Sequence, residues 1–469
     1  MDHSCSESKA RFEDYVEDLI QVIGHADRAV PMRDYCTGLL LPVERKSVEP
    51  MAAATEPARV SAKHQSLLHF VGNAPWSDEA VLAKVRAFTL PTIERSGPIR
   101  AWIIDDTGFP KKGKHSVGVA RQYCGQLGKQ DNCQVAVTLS IANDAASLPI
   151  AHQLYLPEAW ANDAERRTKA GVPDDIVFKT KPEIALQQIK AAHASGTAPG
   201  VVLADAGYGV DTRFRTEVSA LGLTYVMGVQ GTTSVWPPGE APLAPKRRSG
   251  RGRPTSQLRR DKTHKPISAK DLAFSLPARA WRTVTWREGT NAPLSSRFAA
   301  VRVRPAHRDQ KLAAPRPVEW LVIEWPKGED EPAKYWLSTL PETITLHALI
   351  DLAKLRWRIE RDYQDLKQEI GLGHYEGRGW RGFHHHATLC IAAYGFLISE
   401  RETFPPSGHN ATKRKAPAIP ESYRPRGSPD PNRAPHTKLD RDAPTPPHNR
   451  ARTKSQAVSV LRQNAARPV

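Results

Sequence analysis

Two features common in secreted and membrane proteins are nearly missing from this sequence: cysteine and long apolar runs. The five cysteines lie at positions 5, 36, 124, 133 and 390, with no CxxC pair. Such sparse spacing excludes a disulfide scaffold and favours reduced, structural thiols. The N-terminus has no apolar signal-peptide core, and no stretch approaches the roughly 18 apolar residues that a membrane span requires. We therefore expect a soluble intracellular protein.

Acidic residues are scarce relative to basic ones. The chain has 67 Lys and Arg against 50 Asp and Glu, which gives a formal net charge of +17. This excess suits a polyanionic partner and salt-sensitive binding. Ribosomal, chromatin and membrane-surface proteins share the same balance, so charge alone does not identify the partner. The length of 469 residues predicts two or three domains.

The most informative segment is LRWRIERDYQDLK, residues 355–367. Its spacing predicts an amphipathic helix whose apolar positions form one buried stripe. These positions are Leu352, Leu355, Ile359, Tyr363 and Leu366. Glu360 lies four residues after Arg356 and seven before Lys367, so the three side chains share one side of the helix. In isolation this pattern is typical of an exposed helix with ion pairs, but it also suits a metal ion flanked by phosphates.

Two other segments end in aspartate. In AWIIDDTGFPKKG, residues 101–113, an apolar run ends in Asp105 and Asp106; in VVLADAGYG, residues 201–209, a second run ends in Asp205. A buried strand is a rigid element on which to place a catalytic carboxylate. Each motif alone is also explained by an Asx turn at a strand end. The two motifs together with a helical glutamate are harder to explain separately.

Together the three motifs resemble the Asp-Asp-Glu set of the DDE transposases of bacterial insertion sequences. Those enzymes have an RNase H-like core that is shared with retroviral integrases. One branch carries a Tyr-x2-Arg-x3-Glu-x6-Lys signature, which Arg356, Glu360 and Lys367 match in register. The tyrosine position is Ala353, a departure that concerns a DNA contact rather than the metal chemistry. The resemblance covers roughly residues 10–400.

The resemblance implies that Asp106, Asp205 and Glu360 are catalytic and hold two Mg²⁺ or Mn²⁺ ions per active site. Two such ions about 4 Å apart activate an attacking oxygen and stabilise a leaving one. Asp105 is the alternative first ligand, since successive strand residues face opposite ways. We choose Asp106 because the aspartate of the family is typically followed directly by threonine.

Several basic residues are expected to contact DNA. By resemblance, Arg356 and Lys367 contact phosphates beside the scissile bond, and water followed by a freed 3′-hydroxyl serves as the nucleophile. Lys111 and Lys112, just after the first motif, suit a DNA-facing turn, although a solvated loop explains them equally well.

The fold class expected is α/β: an RNase H-like mixed sheet with flanking helices, interrupted by a β-rich insertion. The predicted parts are an N-terminal helical, DNA-binding domain (1–98), the catalytic core (99–232 and 343–402), the insertion (233–342) and a disordered Pro/Arg-rich tail (403–469). Core strands are predicted at 101–105, 116–123, 133–141, 150–155, 200–205 and 224–229, with a helix at 181–194.

The insertion contains a basic, Gly- and Pro-broken stretch within residues 246–265. There Arg251 and Arg253 match an AT-hook core, which inserts arginines into a narrow minor groove, although general phosphate contact explains them as well. The insertion also holds six tryptophans. They are Trp236, Trp281, Trp286, Trp320, Trp325 and Trp336. Core packing is the usual role of such residues, and one of them is a candidate platform for a flipped base.

Three adjacent histidines, 384–386, invite a zinc hypothesis. Adjacent side chains point in different directions and no Cys or Asp pattern accompanies them, so packing of the apolar helix that follows is preferred.

The function expected is a DNA transposase that cleaves the ends of its insertion sequence and transfers the strands. The implied partners are double-stranded DNA, at element ends and target, and a second copy of the chain in a synaptic homodimer. The implied location is the bacterial cytoplasm, in association with the nucleoid. The alternatives are an RNase H-fold endonuclease without strand transfer and a non-catalytic DNA-binding protein derived from a transposase.

Overall fold

A computed structural model describes residues 3–245, 256–288 and 293–405. The AT-hook-like residues Arg251 and Arg253 and most of the tail predicted to be disordered lie outside the described residues. The described part of the predicted basic loop, residues 256–265, is irregular apart from one bridge between Leu243 and Arg259. No helix in the described ranges is long and apolar enough to span a membrane.

Helices make up both ends of the described chain. They are α1 His3–Ile20, α2 Ala29–Leu40, α3 Val48–Thr55, α4 Val60–Gly72, α5 Asp78–Arg95, α6 Glu158–Ala161, α7 Ala164–Ala170, α8 Lys181–Ala194, α9 Ala206–Gly209, α10 Thr212–Ala220, α11 Ala269–Ser275, α12 Leu346–Leu355, α13 Trp357–Asp365 and α14 Trp380–Thr403. A π-helical turn, Leu366–Ile370, continues α13. Short 3-10 turns lie at Ala26–Arg28, Pro57–Arg59, Gly125–Leu127, Ala278–Ala280, Asp309–Lys311 and Leu372–His374.

The strands belong to one mixed sheet. They are β1 Ala101–Pro110, β2 Ala120–Cys124, β3 Lys129–Ala142, β4 Ser147–Leu154, β5 Val201–Ala204, β6 Tyr225–Val229, β7 Ser234–Trp236, β8 Ile267–Ser268, β9 Arg282–Glu288, β10 Pro293–Pro305, β11 Glu319–Trp325 and β12 Lys334–Ser338. All six predicted core strands are confirmed, with ends shifted by up to five residues. The predicted helix 181–194 is α8.

The sheet order confirms an RNase H-like core. Three antiparallel strands lie in the order β4, β3, β1, and the parallel strands β5 and β6 continue from β1. Helix α8 makes the crossover from the antiparallel part to β5. It begins with a capping box between Thr180 and Glu183, which satisfies two free backbone N–H groups at its first turn. This arrangement brings the ends of β1 and β5 to the same edge.

The strands of the predicted insertion continue the core sheet. Strand β12 pairs antiparallel with β6, and β11 and β10 follow in turn, so the hydrogen-bonded ladder runs from the core into the insertion. Since the sheet itself is shared, the boundary at residue 233 stays a prediction.

The N-terminal helices pack on the core through α14. Tyr15 donates a hydrogen bond to the carbonyl of Ala392 (3.0 Å), and Arg11 binds Glu400 through two bonds of 2.8 and 2.7 Å. Tyr15 and Leu19 lie in one continuous hydrophobic cluster with the strand residue Trp102. Burying apolar surface of both regions in one cluster couples their stabilities. The predicted boundary at residue 98 is therefore not a break in the core.

Candidate active site

Strand β1 turns its two adjacent aspartates to opposite faces of the sheet. Ala101 and Ile103 pack in the cluster that contains α12 and α13, whereas Trp102 and Ile104 pack in the larger cluster with α8 and α14. By alternation, Asp105 follows the first pair and Asp106 the second. The face of each carboxylate is thus set by the same pattern that buries its strand.

Parallel pairing aligns Asp205 with Asp105. The ladder between β1 and β5 matches Ala101 with Val201 and Ile103 with Leu203. Two residues further along the same register, Asp205 stands beside Asp105. Leu203, like Ile103, packs in the cluster of α12 and α13. Asp105, in the middle of β1, and Asp205, directly after β5, therefore share the face on which α13 lies.

Arg356 connects β1 to α13, the helix that carries Glu360. Its guanidinium donates to Asp105 Oδ2 at 2.7 Å and to Glu360 Oε1 at 3.4 Å. It lies at the break between α12 and α13, where one helix ends and the next begins. Glu360 is mostly exposed, with 66% of its side chain accessible. One cation thus brings together two carboxylates from distant parts of the chain.

Electrostatics link Arg356 and Glu360 with the three aspartates, Asp105, Asp106 and Asp205. Burial raises the pKa of Asp105 to about 7; Arg356 acts to lower it, and the negative charges of Asp205 and Asp106 act to raise it. Burial also acts to lower the pKa of the Arg356 guanidinium, but the carboxylates of Asp105, Asp205 and Glu360 raise it above its ordinary value. The positive charge of Arg356 is thus too small to offset the burial of Asp105 and the two neighbouring carboxylates.

Asp106 has different neighbours. Its Oδ2 accepts from Lys181 Nζ at 2.8 Å and from the Tyr208 hydroxyl at 3.3 Å. Lys181 is the first residue of α8, and Tyr208 belongs to the turn after β5. Neither residue was singled out from the sequence. The start of α8 at Lys181 was predicted, but its position beside Asp106 comes from long-range packing that leaves no local signal.

The turn after β5 is held close to β6. Asp205 caps α9, its Oδ1 accepting from the N–H of Gly207 at 2.8 Å, which is the Asx-type arrangement considered from the sequence. A Cβ atom on Gly228 would lie 2.8 Å from the backbone nitrogen of Ala206 and 3.0 Å from the carbonyl carbon of Asp205. Only glycine permits this approach of β6 to the aspartate.

Lys367 extends from the π-helical turn toward β1. Its Nζ donates to the carbonyl of Gly108 at 2.6 Å and to Gln126 Oε1 at 3.2 Å, and it lies 4.8 Å from the centre of the Phe109 ring. Burial lowers the pKa of Lys367 to about 8. A π-helical turn such as Leu366–Ile370 changes the direction of the side chains that follow, and such turns are frequent at functional sites.

The predicted apolar stripe on these helices is confirmed, since all five of its residues are buried. A further buried residue of α13, Asp362, escaped the sequence analysis. Its Oδ1 accepts from Ser147 Oγ at 2.8 Å and from the Tyr394 hydroxyl at 3.0 Å, and burial raises its pKa to about 7. These bonds fix α13 to β4 and α14, and so set the position of Glu360.

The remaining predicted DNA contacts differ in exposure. Lys111 donates to the carbonyl of Tyr375 at 2.9 Å, and burial lowers its pKa. Lys112 is exposed. Ala353, the departure from the signature, is buried in the cluster beneath α12.

The six tryptophans of the insertion are packed to different degrees. Trp236 and Trp336 are buried, and the Nε1–H of Trp236 donates to Asp309 at 2.6 Å. The other four are partly buried. Two of these, Trp281 and Trp325, meet edge to face at 5.3 Å. The role of any one in base stacking stays a prediction.

The three adjacent histidines are buried in α14, and each bonds a different partner. His384 and His385 contact the backbone carbonyls of Trp380 and Val71, and His386 contacts the hydroxyl of Tyr35. In the described ranges no group of three His, Cys, Asp or Glu side chains is arranged to hold a metal ion.

The carboxylate set nevertheless fits divalent cations by its chemistry. Carboxylate oxygens are the ligands that Mg²⁺ and Mn²⁺ prefer. The pKa of Asp105 is raised to about 7, in part by the neighbouring aspartates, which is the condition that a bound cation relieves. Arg356 now provides a single positive charge to Asp105 and Glu360.

Comparison with known proteins shows the family to which this chain belongs. Residues 18–293, more than half of the chain, match the family model described as DDE superfamily endonuclease. The match ends before α13. The chain is also 35% identical, over 167 residues, to a protein of Microchaete diplosiphon named "Probable transposase for insertion sequence element IS701". That alignment covers 35% of this chain and 40% of the relative. The family match, over a sheet of RNase H-like order, shows that this chain belongs to the DDE superfamily endonucleases.

Proposed function

We propose that this protein is the transposase of an insertion sequence, which cleaves DNA at the ends of its element and joins the freed ends to a target. The observation that carries the proposal is the shared contact of Arg356 with Asp105 and Glu360. A carboxylate on strand β1 and a helical glutamate far apart in the chain meet there, beside the turn that carries Asp205. Family membership and the name of the 35% identical relative support the same conclusion.

For the first carboxylate we propose Asp105 rather than Asp106, which the sequence motif favours. Asp105 shares a sheet face with Asp205 and α13, and its charge interacts with that of Asp205. Asp106 faces α8 and is paired with Lys181. A role for Asp106 in place of Asp105 would require β1 to present its other face to α13, against the pairing register.

The proposed cofactor is a pair of Mg²⁺ or Mn²⁺ ions held by Asp105, Asp205 and Glu360. When bound, two such ions supply charge stabilisation for the attacking and leaving oxygens of a phosphodiester.

The chain's own residues then orient the DNA. Arg356 presents a planar fork of donors that fits a phosphate, and Lys367 presents a point charge from the neighbouring turn. Both are engaged in the structure, Arg356 with carboxylates and Lys367 with Gly108 and Gln126. Binding of DNA would exchange these partners for phosphate oxygens. Water is the nucleophile of cleavage, and the 3′-hydroxyl that it frees is the nucleophile of joining.

The proposed partners are the double-stranded DNA of the element ends and target, with two copies of the chain in the synaptic complex. Binding of the terminal DNA by the N-terminal helices, minor-groove contact by Arg251 and Arg253, and a location in the cytoplasm at the nucleoid belong to the same proposal. The net charge of +17 supports a nucleic-acid partner.

The test is strand transfer in vitro with purified protein, Mg²⁺ and labelled DNA from the flanks of its gene. We expect joined products with wild type and with none of Asp105→Asn, Asp205→Asn and Glu360→Gln. Asp106→Asn is the matched control, and we expect it to keep measurable joining. Loss of activity in Asp106→Asn with retention in Asp105→Asn would refute the assignment on β1.

The two alternatives predict other products in the same assay. An endonuclease without strand transfer would give metal-dependent cuts and no joined DNA. A non-catalytic relic would bind verified element ends with neither product in Mg²⁺ or Mn²⁺. Either result would overturn the transposase proposal.

A further inference from the structure

The hairpin formed by β2, the turn Gly125–Leu127 and the start of β3 presents an exposed aromatic ring close to the candidate site. Tyr123 is 59% accessible and Leu127 is 42% accessible. Along β2 the burial alternates, so that Arg121 and Tyr123 share the outward face while Cys124 is buried. Within the part of the chain that the structure describes, no aromatic ring packs on Tyr123.

The charge around this hairpin is mostly positive. Residues 111–132 carry five basic side chains and one acidic side chain, which gives a net charge of +4. The basic ones are Lys111, Lys112, Lys114, Arg121 and Lys129, and the acidic one is Asp131. Arg121 and residues 125–130 are exposed, as is Lys112. An exposed ring and an aliphatic side chain among cations form a surface that complements a nucleic acid strand.

Two contacts fix the hairpin beside the candidate site. Cys124 packs against β1 at Gly108, where an added Cβ would lie 2.8 Å from the cysteine sulfur. At the tip, Gln126 accepts from Lys367, which follows Glu360 by seven residues on the same helical segment. Cys124, Cys133 and Val135 form a buried cluster along the hairpin. The tip is therefore held rigidly next to a proposed phosphate contact.

We propose that this hairpin enters the DNA beside the scissile phosphate and that Tyr123 stacks on a base that has left the duplex. The inference rests on the proposed transposase function. The aromatic ring supplies the stacking surface, Leu127 fills the space that the base vacates, and Arg121 and Lys129 contact the flanking phosphates.

The Tyr123 ring would bind an unstacked base. Such a base has two sources: the flank of the element end, or the target DNA at the joining site. Both duplexes are probes in the test, each with 2-aminopurine at single positions around the reacting phosphate. Fluorescence of 2-aminopurine reports whether the base is stacked or free. The duplex whose signal depends on residue 123 identifies the source.

The full-length protein and three variants separate the stacking role from general effects. Tyr123→Ala removes the ring, Tyr123→Phe keeps it, and Phe274→Ala removes a matched, half-exposed ring on the insertion. Because Tyr123 is exposed, its substitution leaves the core intact. At one position of the DNA, we expect Tyr123→Ala to abolish the change in 2-aminopurine fluorescence that wild type causes. We also expect it to weaken DNA binding about tenfold. Tyr123→Phe and Phe274→Ala are expected to behave as wild type.

A charge variant tests the phosphate contacts independently. Arg121→Gln with Lys129→Gln is expected to weaken binding on every sequence and to reduce the salt dependence of the binding constant by about two charges.

The outcomes distinguish the inference from the function on which it rests. If wild type cleaves and joins DNA while Tyr123→Ala gives the same base signal and affinity, the inference is wrong and the function stands. If Tyr123→Ala changes only the self-association of the protein, the hairpin is a protein interface and the inference is again wrong. If wild type neither binds nor cleaves verified ends, both fail.

Discussion

Protonation of the buried His386 in α14 should lower the free energy of unfolding as the pH falls below neutral. Burial lowers the pKa of this histidine to about 4 from its ordinary 6.5. The ring is satisfied as the neutral form, because Nδ1 accepts from the Tyr35 hydroxyl at 2.9 Å and Nε2 donates to the carbonyl of Gly371 at 3.0 Å. A second ring proton would face a donor and place an unpaired charge in the core.

The sign of the effect follows from proton uptake. Between pH 6.5 and about 4 the unfolded chain binds a proton at this histidine and the folded protein does not, so the free energy of unfolding falls as the pH falls. Above pH 6.5 the contribution is fully present. The separation of 6.5 from about 4 corresponds to about 3 kcal/mol. This is a large share of the ~5–15 kcal/mol that stabilises a typical protein.

Other buried groups titrate in the same range, so the measurement is a comparison of two proteins. Urea unfolding of wild type and of His386→Gln, whose amide does not titrate, is measured from pH 4 to pH 8. The wild-type free energy of unfolding minus that of the variant is expected to fall by about 3 kcal/mol between pH 7.5 and pH 4. A difference that stays constant, or that grows on acidification, would refute the reasoning.

Three further predictions concern single contacts. Lys354→Met leaves the buried Glu324 without the ammonium that now binds both its oxygens at 2.7 and 2.6 Å. Urea unfolding should therefore show that the free energy of unfolding falls by about 3–5 kcal/mol. Adding Glu324→Gln should restore much of this loss. DNA cleavage should decline as the pH rises through about 8, where Lys367 loses its proton, and Lys367→Arg should remove that decline in a pH–rate profile. Gly228→Ala should cost about 1–3 kcal/mol in thermal unfolding and most of the cleavage activity, whereas Gly72→Ala, whose added methyl meets no atom within 4 Å, should cost neither.

Local patterns in the sequence predicted most of the core sheet. Apolar runs and alternation predict β1, β3, β4, β5 and β6. Each of these strands buries one or both faces, and a run of consecutive residues is enough to show which positions are apolar. The predicted strand 116–123 begins at residue 120 instead, since Val117 donates its N–H to the carbonyl of Arg378 rather than to a neighbouring strand. That partner lies far along the chain and leaves no local signal.

Long-range pairing is the part of the fold that the sequence did not reveal. Alternation predicted strands in the insertion, but not that β12 would pair with β6 and extend the core sheet. At the candidate site the motif beside Thr107 favoured Asp106. The register of β1 with β5 and the position of Arg356 favour Asp105, and both are properties of the assembled sheet. The sequence singled out the aspartates and the glutamate as candidates, but the face of the sheet on which each aspartate lies depends on the assembled fold.

The packing of α14 determines when this protein can fold during its synthesis. The N-terminal helices leave the ribosome first, yet Arg11, Tyr15 and Tyr35 find their partners in Glu400, Ala392 and His386. At about 5–20 residues per second, that partner helix appears on the order of tens of seconds later. Until then the first helices pack only on one another, and the surfaces that α14 buries stay uncovered. A product truncated before residue 380 would keep those faces exposed, which makes it a substrate for chaperones and proteases rather than a shorter working protein.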